Sequence, residues 1–193
     1  MAKLVSPIFT GSFLWLQNPQ PPKNGTGEPK FGLTAIFEPA KFSEADKKRW
    51  DAMMAMANEL SIEKFKKALN KLPSNFKQPM RDGEEKEELE GFGPGKKFCS
   101  LTSRMRPGIV GLDKEPITDL SEIFSGCKFR ATVNCYSYDN EGKGIAFGLQ
   151  NLQFIGKGKR LDSRTDAGED FANEAADFEV PADGDGGDDD FLN

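Results

Sequence analysis

Cys127-Lys128-Phe129-Arg130-Ala131-Thr132-Val133-Asn134-Cys135-Tyr136-Ser137-Tyr138 alternates between two kinds of side chain along its length. A period of two marks a strand that buries one face and exposes the other. The pattern turns Cys127, Phe129, Ala131, Val133 and Cys135 inward, and Lys128, Arg130, Thr132, Asn134, Tyr136 and Tyr138 outward. Asp139-Asn140-Glu141-Gly142-Lys143-Gly144 then supplies the Asn, Asp and Gly that a tight hairpin turn requires. Ile145 to Ile155 reads as the returning strand, the last of the fold.

Moving toward the N-terminus, Lys3 to Gln17 reads as one long strand whose β-formers are interrupted at Gly11, where a bulge or sharp bend is expected. Trp15 is assigned to the core. Asn18 to Gly27 is a Pro/Gly-rich loop, and Lys30 to Glu38 is a second strand with Phe31, Leu33, Ala35 and Phe37 on one face. Ser43 with Asp46 three residues later resembles a helix start. Trp50, Met53, Met54, Ala57 and Leu60 follow at helical spacing, as a methionine-rich face packed on the body. A second helical run through Ile62, Phe65, Leu69 and Leu72 stops at Pro73. Ser74 to Gly95 reads as a mobile loop or irregular hairpin, with Glu84 to Glu88 a solvated charge run rather than a metal site. Lys96 to Ser103 is a third strand, Gly108 to Leu112 continues it past a bend at Pro107, and Asp119 to Phe124 is a short helix.

That order predicts a mainly β fold. It matches a five-stranded OB barrel with a helical insertion, about residues 43–72, between strands two and three. Residues 1–160 form the barrel domain and 161–193 a disordered acidic tail. OB barrels bind oligonucleotides across strands two and three, using the loops after strands one and four. Here those loops are Asn18 to Pro29 and Asp139 to Gly144, and both contain lysine.

The charge is unevenly divided. Of 26 basic and 31 acidic residues among 193, one basic residue, Arg164, and twelve acidic residues lie from Leu161 onward. The body therefore carries +6 and the tail −11, which the overall −5 conceals. A basic body with an acidic arm suggests a protein that binds a polyanion and carries its own competitor.

Histidine is absent, which excludes Ser-His-Asp and Cys-His catalysis and histidine general bases. Neither phosphate-binding glycine fingerprint occurs. Cys99, Cys127 and Cys135 lack metal-site spacing and read as buried reduced thiols. No catalytic residue, metal or cofactor is expected. There is no apolar run long enough for a membrane span and no signal peptide at the N-terminus, so a soluble cytoplasmic protein is expected.

The outward face of the Cys127–Tyr138 strand joins two cations, Lys128 and Arg130, to two tyrosines, Tyr136 and Tyr138. Cations meet phosphates and aromatic rings stack on bases, which is the chemistry of single-stranded nucleic-acid binding. The same pairing recurs at Lys96-Lys97-Phe98 and around Arg104 and Arg106. Lys143 in the hairpin loop and Lys157 after the last strand add candidate phosphate contacts.

Ser125 to Tyr138, followed by Gly144-Ile145-Ala146-Phe147-Gly148-Leu149-Gln150-Asn151-Leu152-Gln153-Phe154, resembles tailed-bacteriophage single-stranded DNA-binding proteins with an OB fold and an acidic C-terminal tail. The resemblance covers most of the chain and is strongest from Pro116 to Arg160 and again in the tail. It implies a protein that coats single strands during replication or recombination, in the host cytoplasm if phage-encoded. It also implies a tail that occupies the DNA groove in the absence of DNA and recruits polymerase and helicase–primase. Asp183, Asp185, Asp188, Asp189, Asp190 and Phe191 have the charge density and lone aromatic of a partner-binding end, and Leu161 to Pro181 reads as a tether. An annealing or recombination-mediator protein shares this chemistry, and a protein-interaction or chaperone-like module is the rival of another class. Monomer and homodimer are both open.

Overall fold

The computed structural model describes residues 3–22, 25, 27–139 and 142–162. Its strands and long helix run β1 (Leu4–Val5), β2 (Phe9–Gln20), β3 (Lys30–Phe37), α1 (Glu44–Phe65), β4 (Arg81–Asp82), β5 (Lys97–Ser103), β6 (Gly108–Val110), β7 (Lys128–Asp139) and β8 (Lys143–Gly156). The described residues are mainly β, with one α-helix between strands.

The hairpin is the organising unit. β7 and β8 pair antiparallel from Lys128 opposite Gly156 to Asp139 opposite Lys143. Asn140 and Glu141, at the tip, lie outside the described residues. The alternation holds: Phe129, Ala131 and Val133 are buried, while Lys128, Arg130 and Thr132 between them are half-exposed. Gln150 is an extra residue in β8, because Thr132 faces Asn151 and Val133 faces Leu149.

The sheet closes on itself. β7 pairs with β2, β2 with β3, β3 with β5, and β5 with β8, which returns to β7. The β5–β8 contact is the single parallel junction of this ring. β1 adds to β7, β4 to β5 and β6 to β8. Phe9 fills the interior against Phe37 and Phe129, with ring centroids 5.4 and 6.1 Å apart, and Phe129 packs on Phe154 at 5.9 Å.

The expected long first strand is two strands, and its irregularity is displaced. Gly11 stays in register with Ala35. Its missing side chain makes room for Phe129, whose ring would lie 2.7 Å from a β-carbon there. The bulge falls at Phe13–Leu14, because Ser12 faces Thr34 and Trp15 faces Gly32, leaving two residues opposite Leu33. Phe13 takes φ 50°. One extra residue reverses the parity of everything after it. Leu16 is thereby buried and Trp15, expected in the core, is 40% exposed.

The helical insertion is one helix, not two. Ser43 caps it, accepting a hydrogen bond from the Asp46 amide at 3.1 Å. Nothing in Leu60-Ser61-Ile62 breaks it, and it runs to Phe65 before Lys66 turns left-handed at φ 59°. Leu69 lies in a separate 3-10 turn, its amide held by Asn58 Oδ1 at 3.0 Å, and Leu72 lies beyond that turn. Met53 and Ala57 are fully buried, as the packed face requires. Ile62, by contrast, is 49% exposed.

Residues 74–95 are more structured than a loop. Arg81 and Asp82 pair with Phe98 and Lys97, Asp82 and Glu85 form a reciprocal capping box, and Phe76 and Phe92 are buried. Residues 119–124 form turns instead of a helix, because Asp119 Oδ1 accepts from the Ser121 amide at 2.9 Å and competes with helical bonding. β6 does not continue β5: it pairs parallel with Asn151–Gln153 of β8. Leu161, which the sequence places at the start of the tail, donates its amide to Ser125 O at 2.8 Å and packs with Phe92, Phe98 and Ile36. Among the described residues, no helix is long and apolar enough to cross a membrane, and no cluster of carboxylates or thiols fits a metal ion.

Candidate nucleic-acid interface

On the outside of the ring, register alone builds a continuous surface. Trp15 of β2 faces Gly32 of β3, Gly32 faces Thr102 of β5, Thr102 faces Gly148 of β8, and Gly148 faces Asn134 of β7. Residues opposite one another point to the same side of a sheet, so this row crosses all five ring strands on the outer face. Beside it lie Thr34 opposite Ser100, Tyr136 opposite Ala146, and Tyr138 opposite Gly144. The middle of the surface is thus paved with Gly, Ala, Ser and Thr, while aromatic side chains rise at its two margins.

Three shallow cavities subdivide it. Phe13, Trp15, Lys30, Phe31, Ser100 and Thr102 line the first. Lys30, Thr102, Arg104, Asn134, Tyr136 and Gly148 line the second. Lys77, Arg81, Ser100, Tyr138 and Ala146 line the third. Lys30 and Thr102 are common to the first two, and Ser100 to the first and third, so the cavities form one groove over β3, β5 and β8.

Tyr136 and Tyr138 stand on the β7 side with ring centroids 6.3 Å apart and planes inclined by 49°. The Tyr138 ring lies against the backbone of Gly144, where a β-carbon would overlap it. Burial pushes the Tyr138 phenol above its ordinary value, and the neighbouring Tyr136 adds to the shift. The phenol therefore stays neutral at physiological pH. The groove's polar lining comes from Asn134, whose Oδ1 accepts from Gln150 Nε2 at 3.3 Å, and from the hydroxyls of Ser100 and Thr102.

The structure separates the cations that the sequence grouped with the tyrosines. Lys128 shares their face by parity, but eight residues of strand span about 26 Å. Its ammonium donates to Thr10 Oγ1 at 2.6 Å, at the β2–β7 seam. Arg130 lies beneath the start of α1 and pairs with Asp46 at 3.4 Å; Asp46 is also bound by Arg49 at 2.8 Å. Lys96 donates to Gly91 O at 2.7 Å, Lys97 pairs with Asp82, and Lys157 pairs with Glu122. These five lie away from the groove lining.

Arg104 does line the groove and is 77% exposed, its guanidinium 3.1 Å from Glu28 across the edge. Arg106 is exposed two residues further on. Lys143 sits at the hairpin tip near Tyr138, 3.6 Å from Asp139. Asp183, Asp185, Asp188, Asp189, Asp190 and Phe191 lie outside the described residues. The alternation of the second strand puts Lys30 on the outer face without singling it out as a site residue, and sequence reasoning missed Lys77 and Arg81, which enter through loops and strand ends that periodicity does not orient. It missed Phe13 and Trp15 because their exposure follows from the bulge. All three cysteines are free thiols, Cys99 and Cys127 buried and Cys135 half-buried.

A protein of Acyrthosiphon pisum secondary endosymbiont phage 1, p50, is 35% identical over 98 residues. That match spans 50% of this chain and 51% of p50, about half the length of that relative. The single-stranded DNA-binding protein from bacteriophage Enc34, solved in complex with ssDNA, superposes with a TM-score of 0.64 at 21% identity, covering 83% of this chain and 89% of that one. Gp2.5, a single-stranded DNA-binding protein encoded by bacteriophage T7, superposes with a TM-score of 0.57 at 14% identity, covering 86% and 98%. At these identities the structural likeness is one of fold. The profile of a family described as Enterobacter phage Enc34, ssDNA-binding protein, matches residues 10–181, a span that takes in α1, the groove and nearly all of the ring. By that extent of sequence the chain belongs to the Enc34 family of phage single-stranded DNA-binding proteins.

Proposed function

We propose that the chain binds single-stranded DNA without strong sequence preference, laying the strand in the groove over β3, β5 and β8. The observation that carries this reading is the Tyr136–Tyr138 pair standing beside a floor of small residues. A stacked base gains about 1–3 kcal/mol on such a ring whatever its identity. A small floor lets the backbone of the strand approach the sheet. Lys30 stands beside the floor and Arg104, Arg106 and Lys143 around the groove, where phosphates would pass, and they give the binding its salt dependence. Duplex DNA is a poor ligand for this surface, because its bases are already stacked.

The five-membered ring with one parallel junction supports the OB-barrel reading, with β3 and β5 as strands two and three. The groove then lies where such barrels take oligonucleotides, between the loop after β2 and the loop joining β7 to β8. The Lys128 and Lys157 region is a secondary contact at most in this reading. The acidic arm after Leu161, with its net −11, acts as a competitor for the groove and, once displaced, as a tether for basic partners of DNA replication or recombination.

Titration with poly-dT and with a duplex of matched length, at two salt concentrations, tests the proposal. Preference for the single strand, weakened by salt and by Tyr136→Ala or Tyr138→Ala, is expected. Equal affinity for duplex, or no binding at low salt, would overturn it.

A further inference from the structure

We infer that Trp15 is a second base-stacking position, on the wall of the groove opposite Tyr136 and Tyr138, so that a bound strand crosses the sheet from β2 to β7. This deepens the proposed function and rests on it. The bulge at Phe13–Leu14 is the origin of the wall. Unbroken alternation from Phe9 would carry positions 11, 13 and 15 inward. The extra residue instead sends Leu16 into the core and leaves Phe13 45% and Trp15 40% exposed.

That arrangement costs stability twice. A phenylalanine at φ 50° is a strained conformation for a bulky L-residue. Two large aromatic side chains also forgo burial. The chain's other tryptophan shows the ordinary outcome: Trp50 packs on Phe37 and Phe42, with ring centroids 5.3 and 5.6 Å away.

The two exposed rings are not equivalent. The Lys86 ammonium lies 5.2 Å from the Phe13 centroid, and Phe92 lies 6.4 Å from it on the core side. Trp15 faces a glycine, Gly32, across the strand pair, so no side chain stands opposite it on β3, and it lines the same cavity as Ser100 and Thr102. Lys30 stands between the Trp15 cavity and the Tyr136 cavity, placed for a phosphate midway. From β2 to β7 through β3, β5 and β8 are four inter-strand steps, about 19 Å along the sheet. A strand engaged at both margins must therefore run across the β-strands, over Thr102 and Ser100.

Tryptophan emission of the Trp50→Phe variant reports on Trp15 alone, in a protein whose groove is otherwise intact. We expect oligo-dT to quench that emission, Trp15→Ala to weaken oligo-dT binding about tenfold, and Trp15→Phe, which keeps a ring, to weaken it much less. Unquenched emission at saturation, or Trp15→Ala binding like the parent while Tyr136→Ala and Tyr138→Ala still weaken, would overturn the second wall and leave the proposed function standing. Failure of the parent to bind oligo-dT would remove both. Should Trp15→Ala not fold, quenching and the Trp15→Phe affinity decide the matter.

Discussion

The Tyr138 ring rests on the backbone of Gly144, the residue registered directly opposite it across the β7–β8 hairpin. A glycine that accepts a cross-strand aromatic ring lets the ring lie down instead of standing clear of a neighbouring side chain. Gly144→Val would lift Tyr138 out of its place in the groove and press on Lys77, whose Cβ would be 2.9 Å from the new β-carbon. The expected loss of single-strand affinity is about that of one stacked base, 1–3 kcal/mol. Fluorescence anisotropy against Tyr138→Ala checks it: similar losses support the contact, and parental affinity argues against it.

Asp46 ties α1 to the ring. Its carboxylate, only 8% exposed, holds Arg49 and Arg130. Arg130 Nε is already buried without a partner. Asp46→Ala leaves two partly buried guanidinium groups uncompensated. Breaking a fully buried pair costs about 3–5 kcal/mol. With the arginine side chains 33% and 23% exposed, about 2 kcal/mol is expected. Denaturant unfolding measures the loss, and single-strand affinity should stay within about twofold.

Lys66 closes α1 in a left-handed conformation at φ 59°. A glycine there escapes the steric penalty of a β-carbon, about 1 kcal/mol. Lys66→Gly is therefore expected to raise the unfolding midpoint without altering DNA affinity. A lowered midpoint would show that the Lys66 ammonium on Glu63 O, at 2.9 Å, outweighs the backbone.

The thiols make stability sensitive to alkali. Burial raises Cys99 from 9.0 to about 12, and Cys135 to about 11. A folded state that holds these protons more tightly than the unfolded chain is fully favoured below pH 9, and loses that advantage as pH climbs toward the folded values. Urea midpoints should fall between pH 8.5 and 10.5 by an amount that shrinks in Cys99→Ala. An identical slope in that variant would remove the cysteine from the explanation.

Truncation of the acidic arm depends on where the cut falls. Leu161 donates to Ser125 O and packs against Phe92 and Phe98, and a side chain at Gly91 would meet it at 2.6 Å. Ending the chain after Arg160 therefore costs about 1 kcal/mol of lost Leu burial, whereas ending it after Asp162 does not. Both truncations remove the tail's charge, and tighter single-strand binding at low salt is expected of each. Unchanged affinity in the stable, longer truncation would dismiss the competitor role.

The sequence by itself determined what local physics decides. The uninterrupted alternation of Cys127–Tyr138 and the Asn/Gly turn after it specify a hairpin and both of its faces. Ser43 announces the helix that its side chain caps. The partition of charge between body and arm, and the absence of histidine, are complete statements about chemistry without any fold. The family resemblance also rests on residues that are contiguous in the chain.

Tertiary structure decided the rest, because the deciding interactions join distant residues. The bulge at Phe13–Leu14 is defined only by the partners that Ser12 and Trp15 find on β3, and it alone turns Trp15 from core to surface. Lys128 and Arg130 share a face with Tyr136 and Tyr138 by parity, yet α1 and β2 claim the first pair and leave the second open. A groove floor of Gly32, Thr102 and Gly148 comes from three strands brought side by side by ring closure. Periodicity tells a side chain which way to point; only the closed sheet says what stands in front of it.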